Sequence, residues 1–380
     1  MILTQYASSL AEVYAAAKVA AWKHDYESEC YLNNYIGEKK PKLPSGRNTP
    51  VLWFRGHEKS WWNLEPSLLR ERFSATSFEP AEKWSPNYEQ SKLQESYRLQ
   101  YISARAYHII SDKPANNIEW QEILQHYWVS TRLMDWTENL NIALLFALEP
   151  FIANPEDDTF KVKRIEAEPT IWIFNPALSN AKLYDIISND EDAICDAVRV
   201  FFGGAEQNED KVIKTAREIR NYLHSNRDSI FDAHEFRGSN LVSLSRLAEL
   251  RASAGANLLQ MLKTAEFNPF FFLLLRFYND GIKLFRELPP LAMIHPYHSQ
   301  RIAAQKGAFT LFTFPKSDNG NEKITPMNLY PGWDNCLCKI RLTDPQAISD
   351  ELVRIGFSRE DIYPELEVFG KEAERRQIGR

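Results

Sequence analysis

Apolar residues recur along the chain with two different periods, one typical of helices and one typical of strands. Near the N-terminus, Leu10, Val13, Ala17 and Ala20 lie at helical spacing, which predicts a helix over residues 4–36. Further helices are predicted at about 88–110, from 116 or 117 to about 127, and at 138–149. Thr137 is placed to cap the last of these.

The strand patterns are short apolar runs between turn-forming residues. They predict strands at 51–54, 169–174, 308–314 and 336–342. Between 185 and 284, helical patterns and dense charge indicate a helical insertion. The whole predicts an α+β fold, with a small mixed sheet core flanked by helices. The predicted divisions are an N-terminal helical segment (1–44), a sheet-bearing domain in two parts (45–184 and 285–380), and the insertion (185–284).

The C-terminal region carries the signals of a helix pair. Asp344 is placed to cap a helix whose first turn contains Pro345, and Gly356 is placed to end it. Ser358 and Asp361 have the spacing of a capping box, which predicts a second short helix.

The composition narrows the class of protein. Hydrophobic residues make up 44% and charged residues 25%, the balance of an ordinary globular protein. The net charge of −6 gives no overall attraction to nucleic acid or to an acidic membrane. The longest apolar run, Phe270–Leu275, is far shorter than the roughly 20 residues of a spanning helix. The N-terminus has no signal-peptide pattern, so we expect a cytoplasmic protein.

The cysteines give no sign of a disulfide framework or of a metal site. No CxxC pair occurs among the four cysteines, Cys30, Cys195, Cys336 and Cys338, and no second Cys or His pair has ligand spacing. We expect reduced thiols and no bound metal.

Three ordered segments carry a resemblance to a known family. They are Trp53–Gly56 with the following Trp61, Leu64, Pro66 and Leu69, then Gln125–Thr137 (QHYWVSTRLMDWT), then Arg301–Thr310 (RIAAQKGAFT). Together they resemble the FRG domain family over about 45–150 and 285–370, and the stretch from Gly356 to Leu366 fits the helix pair that often closes the family. The tripeptide also occurs at Phe236–Gly238 without a preceding strand, so the ordered set carries the resemblance.

The first segment offers a site for an anion. Arg55 at a strand end, with Gly56 after it, places a five-donor guanidinium beside a backbone that a ligand can approach closely. That arrangement suits a phosphate or a carboxylate. An internal ion pair of Arg55 with Glu95 or Asp135 is the alternative, because a buried guanidinium needs a partner.

The second segment combines structural and chemical candidates. Arg132 and Asp135 lie three residues apart, and we favour a pair between them over the alternative that Arg132 contacts a ligand. His126 ends a helix, where it is either a satisfied helix-end histidine or a general acid or base facing a cleft. The Thr131 hydroxyl could bond a ribose or phosphate oxygen, or its own backbone.

The third segment places Gln305 and Gly307 just before a strand, with Arg301 upstream. Gln305 is either a satisfied core amide or a ligand contact, and Gly307 permits close approach of a backbone. We expect Arg55, His126, Asp135 and Gln305 to converge on one cleft, because polar residues flank short strands in all three segments.

The order of parts is similar to that of arginine-type ADP-ribosyltransferases. That resemblance implies that Arg55 holds the phosphates of NAD, that Ser130 or Thr131 holds a ribose, and that Tyr127 or Trp128 stacks on nicotinamide. The catalytic glutamate of those enzymes has no counterpart, since Gln305 stands where an acid is wanted. Glu95 or Asp135 would have to supply it.

Two function hypotheses follow. The first is an NAD-binding, ADP-ribosyltransferase-like enzyme; the FRG resemblance implies a part in toxin or phage-defence biology. The second is a non-catalytic module that recognises a nucleotide or phosphorylated ligand, with the insertion contacting a partner protein. A nuclease is disfavoured because no carboxylate cluster has metal-binding spacing.

Overall fold

The computed structural model describes most of the chain. The described residues are 1–36, 51–70, 88–106, 117–127, 129–152, 167–201, 209–225, 288–293, 300–313, 324–366, 368–370 and 373. The apolar run Phe270–Leu275 and the second tripeptide Phe236–Gly238 lie outside them.

Within these residues, seven strands form one mixed sheet. They are β1 (Leu3–Ala7), β2 (Trp53–His57), β3 (Leu133–Thr137), β4 (Thr170–Phe174), β5 (Leu291–Met293), β6 (Gly307–Leu311) and β7 (Leu337–Leu342). The spatial order is β1-β7-β4-β2-β3-β6-β5, with β1 parallel to β7 and every other pair antiparallel.

Helices cover both faces of the sheet, so the predicted α+β fold is confirmed. They are α1 (Leu10–Ile36), α2 (Tyr88–Ala106), α3 (Asn117–His126), α4 (Leu140–Ala147), α5 (Glu149–Ile152), α6 (Pro176–Ser188), α7 (Glu191–Phe201), α8 (Glu209–Ser225), α9 (Gln300–Ala304) and α10 (Pro345–Arg354). One core cluster lies between the sheet and α6–α8, and a second between the sheet and α1, α4 and α10. Among the described residues, no helix combines the length and apolarity needed to cross a membrane.

Two predictions near the strands are wrong. Leu3–Ala7 belongs to a strand rather than to the predicted first helix, because its backbone pairs with β7 from the far end of the chain. Thr137 ends β3 instead of capping α4. Asn139 is the cap, and its side chain accepts a hydrogen bond from the Asn141 amide over 3.0 Å.

The predictions for the C-terminal helix and the turn after it are more accurate. Asp344 caps α10 by accepting a hydrogen bond from the Ala347 amide over 3.1 Å, and Pro345 is the first helical residue. Gly356 follows with φ of 96°. The predicted capping box of Ser358 is present, although it opens a three-residue 3₁₀ turn rather than a longer helix.

The described part of the predicted insertion is helical. Its helices α7 and α8 bury Ile194, Val198, Val212 and Ile219 in the same cluster as Trp53 of the sheet. The divisions of the chain at 44, 184 and 284 stay a prediction. All four cysteines carry free thiols.

Strand β2 is the element that positions the candidate site. Its side chains alternate between the two faces of the sheet, as the pleat of any strand requires. Trp53 belongs to the cluster beside α6–α8, whereas Phe54 packs against the cluster that contains α4. Arg55 and His57 therefore share the face of Trp53, and Gly56 faces α4.

Candidate functional site

A cavity of about 440 Å³ lies where the three motif segments meet. Its volume falls in the range of roughly 300–1,000 Å³ that is common for small-molecule sites. Its lining includes Arg55 and Gly56 of β2, Trp62 and Arg70 of the following segment, Asp135 and Thr137 of β3, and Arg301, Gln305, Gly307 and Tyr363 from the C-terminal half. Three of the four residues expected in one cleft thus line one cavity.

Arg55 is held in this cavity from two sides. Its Nε donates to Nε2 of His57 over 3.0 Å, and its Nη1 donates to the backbone carbonyl of Asp135. The carboxylate of Asp135 is 4.0 Å from Nη1, and its side chain is 58% exposed. Burial, and secondarily the charge of Arg70, lowers the pKa of Arg55 to about 10, while Asp135 acts in the opposite direction. The positive charge of Arg55 is therefore only partly balanced.

Arg70 brings a second guanidinium to the same cavity. Its Nε donates to the carbonyl of Glu65 over 3.2 Å. The segment before Arg70 is fixed to the chain at Thr131, since the Leu68 amide donates to the Thr131 carbonyl over 3.1 Å. Burial lowers the pKa of Arg70, opposed by the charges of Asp135 and Glu65.

His57 supports Arg55 from the interior and is only 3% exposed. Burial lowers its pKa well below 6.5, and the charges of Arg55, Arg70 and Lys339 act in the same direction. The ring is therefore neutral, which allows Nε2 to accept the hydrogen bond from Arg55. The Trp62 ring packs edge-on against it, with centroids 6.0 Å apart.

Gly56 has a packing role that the sequence did not reveal. A Cβ atom at this position would lie 2.0 Å from the carbonyl oxygen of Ala143 and 2.6 Å from the amide nitrogen of Ala147. Both atoms belong to the α4 backbone, so only glycine allows β2 to approach this helix. At Gly307, a Cβ would lie 3.1 Å from the Ile302 side chain. Packing on α4 thus requires glycine at residue 56, whereas at residue 307 the contact is with the end of one side chain and is less restrictive.

The expected pairing of Arg132 with Asp135 is wrong. Arg132 pairs instead with Glu95 of α2, with Nε 3.4 Å from Oε1 and both side chains less than 10% exposed. The reason is strand alternation, because Asp135 is the exposed residue of β3 while Arg132 precedes the strand in the interior. Glu95 is consequently held in a buried pair with Arg132 and does not belong to the cavity lining.

The side chain of Thr131 also forms hydrogen bonds within the protein. Its Oγ1 donates to Oε1 of Gln125 over 2.6 Å and accepts from the Leu133 amide over 3.3 Å, and the residue is 1% exposed. These bonds fix the entry into β3. Two other polar residues near Thr131, Gln125 and Ser130, line the cavity.

Gln305 lines the cavity but its amide is occupied. Nε2 donates to the Ile362 carbonyl over 2.9 Å, and its own backbone carbonyl accepts from Thr137 Oγ1 over 2.6 Å. Gln305 thereby ties the C-terminal segment to β3. Beside it, the guanidinium of Arg301 lies 4.5 Å from the centroid of the Tyr363 ring.

Two glutamates that the sequence reasoning missed line the same cavity. Glu122 of α3 is 2% exposed, and Glu149 of α5 pairs with Arg359 over 3.1 Å. No local pattern marked them, since each lies inside an ordinary helical stretch. His57 and Arg70 were missed as well, although a residue two positions after Arg55 shares its strand face and could have been found from that spacing.

His126 and Tyr127 stand at the end of α3. His126 is its last residue, and its side chain lies outside the described part of the structure. Tyr127 is 68% exposed, and its amide donates to the Leu124 carbonyl over 3.1 Å. Among the described residues, no group of three or more His, Cys, Asp or Glu side chains is arranged to hold a metal.

The fold and the cavity define an α+β protein with an arginine-lined pocket assembled from separated parts of the chain. The sequence model of the FRG domain matches residues 51–156. The chain therefore contains an FRG domain, which confirms the resemblance for the first two of the three motif segments. The matched range includes Arg55, Arg70 and Asp135, while Arg301 and Gln305 lie beyond it. No curated protein and no solved structure matches the chain.

Proposed function

We propose that the cavity of the FRG domain binds a phosphate-bearing nucleotide, with NAD as the first ligand to test. The observation that carries this proposal is the pair of guanidinium groups, Arg55 and Arg70, which line one cavity beside one exposed acid, Asp135. The carboxylate of Asp135 acts on both guanidinium groups, and Glu65 acts on Arg70 as well. Two neighbouring desolvated guanidinium groups that share the partly solvated Asp135 attract an anion. Guanidinium groups suit phosphate in particular, because they can offer two parallel N–H groups.

Arg55 has donors left for such a ligand. A guanidinium carries five N–H groups, and the bonds to His57 and to the Asp135 carbonyl use two of them. Both bonds also fix the direction of the group before a ligand arrives. This preorganisation favours binding, since little side-chain entropy remains to be lost.

Isothermal titration with pyrophosphate, AMP, ADP and NAD tests the proposal. Replacing Arg55 or Arg70 with Ala is expected to weaken binding by about 10- to 150-fold, the range of a charge-assisted hydrogen bond. Arg217→Ala is the matched control, because Arg217 is an exposed arginine on α8 that pairs with Glu191. Binding by Arg55→Ala at wild-type affinity would overturn the proposal.

A transferase that uses NAD is the second candidate, and the carboxylates of Glu122 and Glu149 favour it. In this reaction the bond between ribose C1′ and the nicotinamide nitrogen breaks, nicotinamide leaves with the electron pair, and an acceptor nucleophile bonds to C1′. A carboxylate stabilises the oxocarbenium-like transition state, a task that the amide of Gln305 cannot perform by charge. Glu122 and Glu149 share the cavity with Arg55 and are the acids to test.

Labelled NAD incubated with cell extract separates the transferase from a non-catalytic module. The transferase predicts nicotinamide release and transferred label, with loss of both in Glu149→Gln or Glu122→Gln while NAD still binds. Wild-type protein that binds NAD and releases no nicotinamide is a binding module. His126 remains the proposed general acid or base, and Asp135 remains a candidate for the catalytic carboxylate. A cytoplasmic location, a protein partner for the insertion, and a role in toxin or phage-defence biology stay predictions.

A further inference from the structure

We infer that Trp62 forms a nucleobase subsite, on which the base of the nucleotide stacks while its phosphates bind at Arg55 and Arg70. The inference rests on the proposed function and adds the part of the ligand that the arginines do not recognise. Trp62 lines the same cavity and is 40% exposed, so its indole is accessible from the side of the arginines.

Trp62 and Arg55 line the cavity on either side of the buried His57, and this order matches that of the base and the phosphate in a nucleotide. The Trp62 ring contacts the His57 ring, and His57 in turn accepts the hydrogen bond from Arg55. A single imidazole therefore separates the indole from the guanidinium. In a nucleotide, a single ribose separates the base from the 5′-phosphate.

The turn that carries Trp62 is anchored before any ligand binds. The Lys339 ammonium donates to the Ser60 carbonyl, and Ser60 Oγ donates to Oε2 of Glu168 over 2.6 Å. Glu168 also accepts from Arg341 over 2.6 Å. Within the turn, the Trp62 amide donates to the Lys59 carbonyl over 3.3 Å. A rigid aromatic side chain on a fixed turn loses little entropy on stacking.

The other Trp and Tyr side chains in the lining are buried and already contact other groups of the protein. Trp136 is 3% exposed and donates its Nε1–H to Thr310 Oγ1 over 3.0 Å. Tyr363 is 9% exposed, and the guanidinium groups of Arg301 and Arg359 lie 4.5 Å and 5.7 Å from its ring centroid. Among the Trp and Tyr side chains of this lining, Trp62 is thus the one that offers a solvent-accessible ring.

The adjacent Trp61 supplies a matched control. It is 58% exposed and lies under the Lys59 ammonium, 5.4 Å from the ring centroid, but it is not part of the cavity lining. Trp61→Ala therefore removes an exposed indole from the same turn without touching the proposed subsite.

Titration of inorganic pyrophosphate, UDP and ADP against variants tests the inference. Because stacking depends on ring area, wild-type protein is expected to bind ADP most tightly, then UDP, then pyrophosphate. Trp62→Ala is expected to weaken ADP binding by about 5- to 150-fold, the range for one base on one aromatic residue, and to leave pyrophosphate binding unchanged. Trp62→Phe retains most of the ADP affinity, and Trp61→Ala retains all of it.

The possible results separate this inference from the proposed function. Pyrophosphate binding with no gain for ADP, or unchanged ADP binding in Trp62→Ala, overturns the nucleobase subsite while the anion site stands. A wild-type protein that binds neither pyrophosphate nor ADP overturns the proposed function and the subsite with it. If Trp62→Ala does not fold, Trp62→Leu keeps apolar contact with His57 but lacks the π face, and the same comparison applies.

Discussion

The Nε atom of Arg55 donates a hydrogen bond to Nε2 of His57 over 3.0 Å, and the two residues lie on the same face of β2. The bond requires a lone pair on Nε2, so the imidazole has to be neutral, with its proton on Nδ1. Protonation of His57 would remove the acceptor and place a third cation beside Arg55 and Arg70. The state of His57 therefore controls the shape of the anion site.

This relationship predicts a loss of stability in mild acid. Burial, aided by Arg55, Arg70 and Lys339, lowers the pKa of folded His57 well below the ordinary 6.5. As the pH falls below 6.5, the unfolded chain binds the proton first. The contribution of neutral His57 to the free energy of unfolding, which is complete above pH 6.5, is therefore progressively lost. The slope for one such proton is at most about 1.4 kcal/mol per pH unit, and urea unfolding at a series of pH values measures it.

His57→Gln is the variant that isolates this contribution. Its Oε1 can replace Nε2 as the acceptor for Arg55 but does not titrate, so the acid-dependent loss becomes smaller. His24 leaves a residual slope, because burial lowers its pKa from 6.5 to about 3. An unchanged slope in His57→Gln would show that burial and the neighbouring cations do not keep this histidine neutral in the folded protein.

Gly56→Ala is predicted to destabilise the protein by about 3 kcal/mol or more, the upper range for overpacking. The new Cβ would lie 2.0 Å from the Ala143 carbonyl oxygen, and a helix backbone cannot yield as a side chain can. Gly370→Ala is the control, since nothing lies within 4 Å of a Cβ at that position. Equal unfolding midpoints for the two variants would contradict the close packing of β2 on α4.

The buried pair of Arg132 and Glu95 is predicted to support the fold rather than the ligand. Replacing either member alone removes the interior counter-charge that it gives the other, and we expect a loss of about 3–5 kcal/mol in the free energy of unfolding. The double variant Arg132→Leu with Glu95→Leu is expected to lose much less than the sum of the single changes. Strict additivity in this double-mutant cycle would show that the two residues do not interact.

The sequence predicted those parts of the fold that are encoded locally. Asp344 and Pro345 opened a helix as expected, because caps and first-turn prolines act within a few residues. The strand Leu3–Ala7 was not predicted, because its partner strand lies more than 300 residues away and its five residues merge with the helical pattern that follows. Long-range pairing leaves no mark in a short window.

The residues of the candidate site also fall into two groups, those that local motifs predicted and those that they did not. Arg55, Asp135 and Gln305 were drawn from motifs and do line one cavity, whereas Glu122 and Glu149 carry no motif and reach it only through the packing of α3 and α5. Pairing was harder still. Arg132 and Asp135 point to opposite sides because side chains alternate along an extended chain, and the actual partner, Glu95, comes from α2, which no spacing near Arg132 indicates.

Gln305→Glu tests whether this position is a vacant site for the missing acid. The side-chain amide of Gln305 donates to the Ile362 carbonyl over 2.9 Å. A carboxylate at this position would place two hydrogen-bond acceptors next to each other with no donor between them. We expect a loss of about 1–3 kcal/mol in the free energy of unfolding and no gain in nicotinamide release from NAD. Gln346→Glu, at an exposed position of α10 where the amide donates to Asp350, is expected to cost under about 0.5 kcal/mol. Faster nicotinamide release by Gln305→Glu at unchanged stability would instead identify residue 305 as the place of a catalytic carboxylate.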